Sequence, residues 1–295
     1  MASWTIHEPS KITCAADVRR LEVSLLVGRL TVIGADGPAR IEVSKVGGRA
    51  VQVELEGGVL RVRQEGGSAW LGLLSWIMQL AKRIAVDVSI AVPPASRVTL
   101  GLISGRVIAS GLRERTDVDV TAGSITLMGV GGLTRANLVS GPVEAVGVAG
   151  ELIMDTVSGE LILADSPVTT VRGTTVSGSI TCDLDGAADS DIRLDTTSGS
   201  ITARVPEDSD LAIELRALAG QVTSSFPEEL AERTTLSGST VNGWLGQGTG
   251  RLSASAISGS IALLSRPAVA AEDADPNDEP AVAGPVRRDP AEGSA

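Results

Sequence analysis

The chain has 295 residues, with 36 carboxylates against 25 lysines and arginines (formal charge −11), one histidine, four tryptophans, one phenylalanine and no tyrosine. An acidic surface opposes wrapping of a phosphate backbone, so nucleic acid is not an expected partner. So few aromatics leave little with which to stack bases or sugar rings. A lone His7 cannot build a histidine metal site, and neither metal nor cofactor is expected.

The opening Met1–Glu8 has neither a basic n-region nor an apolar h-region, so no signal peptide is expected. Cys14 and Cys182, 168 positions apart, read as free thiols of a reducing compartment. Cytoplasm is therefore the expected location, with the inner membrane face as a peripheral alternative. Residues 18–64 carry alternating apolar runs, among them Leu21–Leu26, Arg29–Ile33, Val51–Leu55 and Leu60–Arg63, which predict irregular first coils. Gly28 imitates the repeat corner described below.

Residues 69–83 are the one non-β feature. Gly72, Ser75, Gln79 and Lys82 fall on one helical stripe and leave the rest apolar, which predicts a short helix. Fifteen residues give ~22 Å of helix, too short for a ~30 Å hydrocarbon core. Three readings follow: a cap over a solenoid end, a contact surface for a partner or second subunit, or an interfacial membrane helix. The contact residues of the last two are Trp70, Leu73, Leu74, Trp76, Ile77, Leu80, Lys82 and Arg83.

From residue 101 a Ser/Ala-Gly pair recurs, with glycines at 105, 123, 141, 159, 178, 199, 220, 238 and 259, spaced 18 to 21 apart. Two residues before each glycine stands a Val, Ile, Leu or Thr. Two after stands another such residue, and four after comes Ala, Leu or Cys182 in the first six repeats. Period-two alternation marks strands, and the glycine marks a corner between two short ones. A ~20-residue unit cannot bury its own apolar face, but stacked units can. The fold class is therefore all-β, a β-solenoid of 18–21-residue coils with one short helical insertion, with a sandwich of hairpins as the alternative. Residues 266–295 hold five prolines, seven carboxylates and three arginines, a composition that predicts a disordered acidic tail. The organisation read from sequence is thus 1–100, irregular β region with the insertion; 101–265, repeat solenoid; 266–295, tail.

Val92-Pro-Pro-Ala-Ser-Arg-Val-Thr-Leu-Gly-Leu-Ile-Ser-Gly-Arg-Val resembles the repeat unit of the DUF4097 β-strand-repeat proteins, often labelled "putative adhesins". Val205-Pro-Glu-Asp-Ser-Asp-Leu-Ala-Ile-Glu-Leu, running on to Ala219-Gly-Gln-Val, looks like a second copy, and the resemblance covers about residues 18–265. It implies a bacterial β-solenoid-like domain without established catalytic residues, some of whose relatives belong to cell-envelope stress or membrane-associated systems.

Four residues before the glycine, Asp119, Asn137, Asp155 and Asp195 form a polar column broken by Thr174. A catalytic acid row or calcium sites, as in polysaccharide-cleaving solenoids, would use close carboxylates. Asx turns and side-chain ladders explain the same column without chemistry. The serines beside the glycines have no histidine to activate them, and Cys182 falls on an inward column. The chain reads as a non-enzymatic structural or interaction protein that presents its ladders to a protein partner or to itself. Peripheral membrane contact through 69–83 and a polysaccharide-active enzyme are the alternatives.

Overall fold

A computed structural model describes residues 2–14, 17–65, 84–184, 189–235 and 238–267. The predicted helix over 69–83 lies outside the described residues, as does the tail from 268 on. Within them the chain forms β1 (Ala2–Ile6), β2 (Ser10–Cys14), β3 (Arg20–Gly34), β4 (Ala39–Lys45), β5 (Val51–Glu56), β6 (Val59–Gln64) and β7 (Val86–Val92). The repeats follow as β8 (Arg97–Ser110), β9 (Thr116–Met128), β10 (Leu133–Ser140), β11 (Val143–Val146), β12 (Gly150–Ser166), β13 (Val168–Leu184), β14 (Asp191–Ser198) and β15 (Ile201–Pro206). The last are β16 (Leu211–Ala219), β17 (Val222–Ser224), β18 (Leu230–Thr235), β19 (Gly238–Leu245), β20 (Gly250–Ser258) and β21 (Ile261–Arg266). Arg266, the first residue of the predicted tail, closes β21.

The fold is an all-β solenoid, as the repeat predicts. Its middle coils pair in parallel and in register, β3 on β8, β8 on β9, β9 on β10 and β11, these on β12, and β12 on β13. Hydrogen bonding runs through the corner in β8, β9, β12 and β13, so there the two predicted short strands are one bent strand.

The corner glycines are required by close approach. At Gly123, Gly141, Gly159 and Gly178 a Cβ would overlap the carbonyl oxygen of the glycine one coil earlier. Each corner thus sits on the previous one without room for a methyl group. The stacking order departs from chain order at both ends. Gly28 is a rung beneath Gly105, and Gly259 lies between Gly199 and Gly220. The coil of β20 and β21 is inserted between that of β14 and β15 and that of β16 and β17. Gly238 is no rung; it starts β19, which pairs antiparallel with β16 and β18. Nine rungs at ~4.8 Å make a ladder of about 38 Å.

Side chains two and four residues after the corner point inward: Val107, Ile125, Val143, Leu161, Ile180 and Ile201 in one column, Ala109, Leu127, Ala145, Leu163, Cys182 and Ala203 in the next, all buried. Small residues alternate with leucine from Ala109 to Cys182, and Ala203 adds a further small one, which fits a narrow interior. Antiparallel strands finish both ends. Beneath β3, β6 and β7 form a split layer, carrying β5 and β4 and then β1 and β2. Gln64 bridges the split: Leu26 N–H donates to its Oε1 at 3.0 Å, and its Nε2 donates to the Ile84 carbonyl at 2.6 Å. The side chain replaces the ladder bonds that the gap between β6 and β7 removes.

Candidate functional site

Because side chains alternate along a strand, burying the positions three, five and seven before the corner turns those two, four and six before it to solvent. One outer face therefore carries columns two, four and six residues before the glycine. The column at two is aliphatic over much of its length: Val139, Val157 and Val176 on three consecutive coils are each 49% exposed. After Thr197 it continues with Ile257 and Leu218, at 51% and 63%. The sequence places these residues in a regular column, and the structure shows that it faces water while the column two after the corner is core. A second outer column carries Ile33, then Ser110, then Met128 and Val146, so that its aliphatic run is interrupted.

Beside the aliphatic ladder runs the Asp/Asn column, in register as Asp119, Asn137, Asp155, Thr174 and Asp195. Asn137 Nδ2 donates to Asp119 Oδ1 at 2.7 Å, a side-chain ladder bond between coils. Asp195 accepts from Arg193 Nε, two residues back on its own strand, at 2.9 Å. Between the two columns lies an open groove of about 470 Å³, lined by Asp119, Asn137, Asp155, Val139, Val157 and Val176 among others. It is apolar along one wall and acidic along the other.

Both cysteines are buried. Burial pushes the Cys182 thiol far up, and the adjacent Asp183 charge pushes it further. Burial raises Cys14 as well. Neither sulfur is a ready nucleophile or ligand. Among the described residues no group of three or more His, Cys, Asp or Glu side chains could hold a metal ion. His7 is exposed between β1 and β2.

All eight predicted contact residues, Trp70, Leu73, Leu74, Trp76, Ile77, Leu80, Lys82 and Arg83, lie outside the described residues, so the structure brings none of them to a site. Among the described residues no helix is long and apolar enough to cross a membrane. Sequence reasoning missed Trp244. It stands outside the glycine columns, on the antiparallel β19, and no periodicity marks which way it points. In the structure it is 70% exposed, the most exposed large hydrophobic side chain among the described residues.

In-register parallel coils, a glycine ladder and antiparallel ends define a β-solenoid of stacked short repeats. A family model, Toastrack DUF4097, matches residues 39–264, and the chain belongs to that family. No curated protein matches. Among solved structures, a "putative adhesin" from Bacteroides fragilis shares 11% identity over 89% of this chain and 97% of its own, with a TM-score of 0.47. A "putative lipid binding protein" from Parabacteroides distasonis shares 11% identity over 88% and 97%, with a TM-score of 0.42. A "putative cell adhesion protein" from Clostridium sporogenes shares 12% over 88% and 100%, with a TM-score of 0.26.

Proposed function

We propose that this Toastrack chain is a non-enzymatic, self-associating interaction protein that buries its aliphatic ladder against a second copy. The observation that carries this reading is the run Val139, Val157 and Val176, half-exposed on consecutive coils and extended by Ile257 and Leu218. Isolated apolar residues on a surface need no explanation, but a contiguous ridge of them marks a contact. A ridge of like side chains at a fixed ~4.8 Å step is complementary to itself. A two-fold axis parallel to the solenoid axis lays ladder on ladder. It sets the Asp column of each copy beside the other's Ser140, Ser158 and Ser177 and away from the other's carboxylates.

The chemistry of the face agrees with a binding role. The column carboxylates at 119 and 195 are engaged by Asn137 and Arg193, and both thiols are buried. Two free, buried cysteines fit a reducing compartment, and the cytoplasm is the location we assign. The segment 69–83 carries no part of this reading.

The test is mass in solution by light scattering and sedimentation across a wide concentration range. Wild type is expected to dimerise, and Val139→Lys/Val157→Lys/Val176→Lys to remain monomeric with an unchanged far-ultraviolet spectrum. A wild type that stays monomeric at the highest concentration, or a triple variant that still dimerises, overturns the reading.

A further inference from the structure

At the far end of the same outer face the strands place one aromatic ring where nothing covers it among the described residues. Register pairs Ala212 with Trp244 and Glu214 with Asn242 across β16 and β19, and Ala212 with Arg251 across β16 and β20. Leu211 and Leu245 point inward and are buried, so Ala212 and Trp244 point out. The indole rises beside an alanine and Gly243, with nothing bulky between it and solvent. Asn242, Glu214, Arg216 and Arg251 share the surrounding groove, of about 350 Å³.

The ring is held by a built turn. Asp210 Oδ1 accepts from Gln247 N–H at 2.7 Å, the Asp210 carbonyl accepts from Gly250 N–H at 3.0 Å, and Leu245 O accepts from Gly248 N–H at 3.2 Å. A Cβ on Gly248 would come within 2.6 Å of indole Cδ1, so the missing side chain is what lets the ring rest against the turn. Arg216 Nη2 and Glu214 Oε1 form an exposed ion pair at 2.8 Å, which sets two planar polar groups side by side in the groove. Arg251 stands in register with Asp191 on the neighbouring coil.

We propose that Trp244, with Asn242, Glu214, Arg216 and Arg251 around it, is a saccharide-binding platform that takes one hexopyranose unit of an oligosaccharide. A hexopyranose has a face of C–H groups and a rim of hydroxyls. The C–H face covers the indole, whose negative π-face attracts polarised C–H groups. The rim meets a carboxylate, two guanidinium groups and an amide, each able to pair with neighbouring hydroxyls. An apolar peptide would fit poorly, because it would strip water from Glu214, Arg216 and Arg251 without replacing those hydrogen bonds. The low aromatic count makes sugar stacking unexpected from composition. A single exposed indole suffices for one subsite. The site lies at the opposite edge of the face from the aliphatic ladder, and it does not rest on self-association.

The experiment titrates the full chain with cellohexaose, chitohexaose and hexagalacturonic acid, read by calorimetry and by tryptophan emission. At least one probe is expected to bind with a blue shift in emission. Trp244→Ala is expected to weaken that binding about tenfold or more and to abolish the shift, while Trp244→Phe keeps most of the affinity. Asn242→Ala and Arg251→Ala are expected to weaken it by several-fold. Because Trp244 is exposed, its thermal midpoint serves as the check that Trp244→Ala is folded. The triple ladder variant is expected to bind as wild type does. No binding of any of the three probes at millimolar concentration, or binding undiminished in folded Trp244→Ala, overturns the proposal.

Discussion

Gly178→Ala isolates the close approach of successive coils from the conformational freedom of glycine. Gly178 lies outside the left-handed φ region, so alanine meets no dihedral penalty there, yet its Cβ would overlap the carbonyl oxygen of Gly159. Gly129 is the converse: its φ is +57°, and a Cβ would meet nothing within 4 Å. At Gly178 the neighbouring coil must move. Overpacking costs about 1–3 kcal/mol, and loosening about two of the bonds joining β12 to β13 beside the corner adds roughly 1 kcal/mol each. The sum is about 3–5 kcal/mol, against about 1 kcal/mol for alanine in the left-handed region at Gly129. For a folded unit of this size ~1 kcal/mol moves the thermal midpoint by about 2–4 °C. Gly178→Ala should therefore lose roughly three to five times as many degrees as Gly129→Ala, and guanidinium midpoints at unchanged slope should give the same order. Equal losses in the two variants would falsify the claim that contact between coils, and not backbone freedom, fixes glycine at this corner.

Asp165 occupies the position held by Gly111, Gly129 and Gly147 in the three preceding coils, at a φ of 46°. Asp165→Gly should raise stability by about 0.5–1 kcal/mol and Asp165→Ala should not, as measured by chemical unfolding. Thr175 turns into the interior a buried hydroxyl that has no hydrogen-bond partner among the described residues. Thr175→Val keeps its shape and should stabilise by about 1 kcal/mol, and a loss of that size would mean the hydroxyl is bonded. Asp183 on β13 pairs with Arg204 on β15 and, at 3.5 Å, with Arg266 Nη1 on β21, joining three coils. The hydrogen bond from Arg204 is the largest cause of its lowered pKa; burial opposes it, and the charges of both arginines assist. A carboxylate with a depressed folded-state pKa stabilises above its unfolded value near ~4, and that stabilisation is lost as pH falls through the folded value. Acid unfolding midpoints should therefore shift less between pH 5 and pH 2 in Asp183→Asn than in wild type. Cys182 should be silent to a thiol reagent in the folded protein and react only on unfolding, whereas labelling within the mixing time would contradict its burial.

The corner and its columns were legible because each coil repeats the same requirement, so one glycine seen nine times reveals what a single glycine would not. The inward direction of Cys182 and the ladder role of Asn137 followed from the same register. Stacking order was not legible, because Gly238 and Gly259 satisfy the local pattern equally well. Only strand pairing decides that β20 follows β14 and that β19 turns back on β16. The outward aspect of the valine column was hidden for a related reason. Val139 and Val143 have the same chemistry and differ only in which side of a corner they occupy. Trp244 belongs to no repeat and gave no signal beyond its identity.

The out-of-order coil constrains how the solenoid is completed. Coils from β8 to β15 can be added one on another in chain order, each finding its template already formed. The strands β16 and β17 cannot dock on β14 and β15 in the native arrangement, because β20 and β21 lie between. The chain must therefore hold β16 to β19 aside, or release them from a first pairing, until residues 250–266 arrive. The antiparallel pairs β16–β19 and β18–β19 supply a means: a local meander needs no parallel template and can form before it docks. Insertion then places an antiparallel end on a parallel stack, as β4 to β7 do at the other end. Among the described residues neither end is a bare parallel coil throughout: β19 covers β16 at one end, and β4 and β5 cover β7 and β6 at the other. The self-association we propose uses the sides instead, where the aliphatic ladder lies.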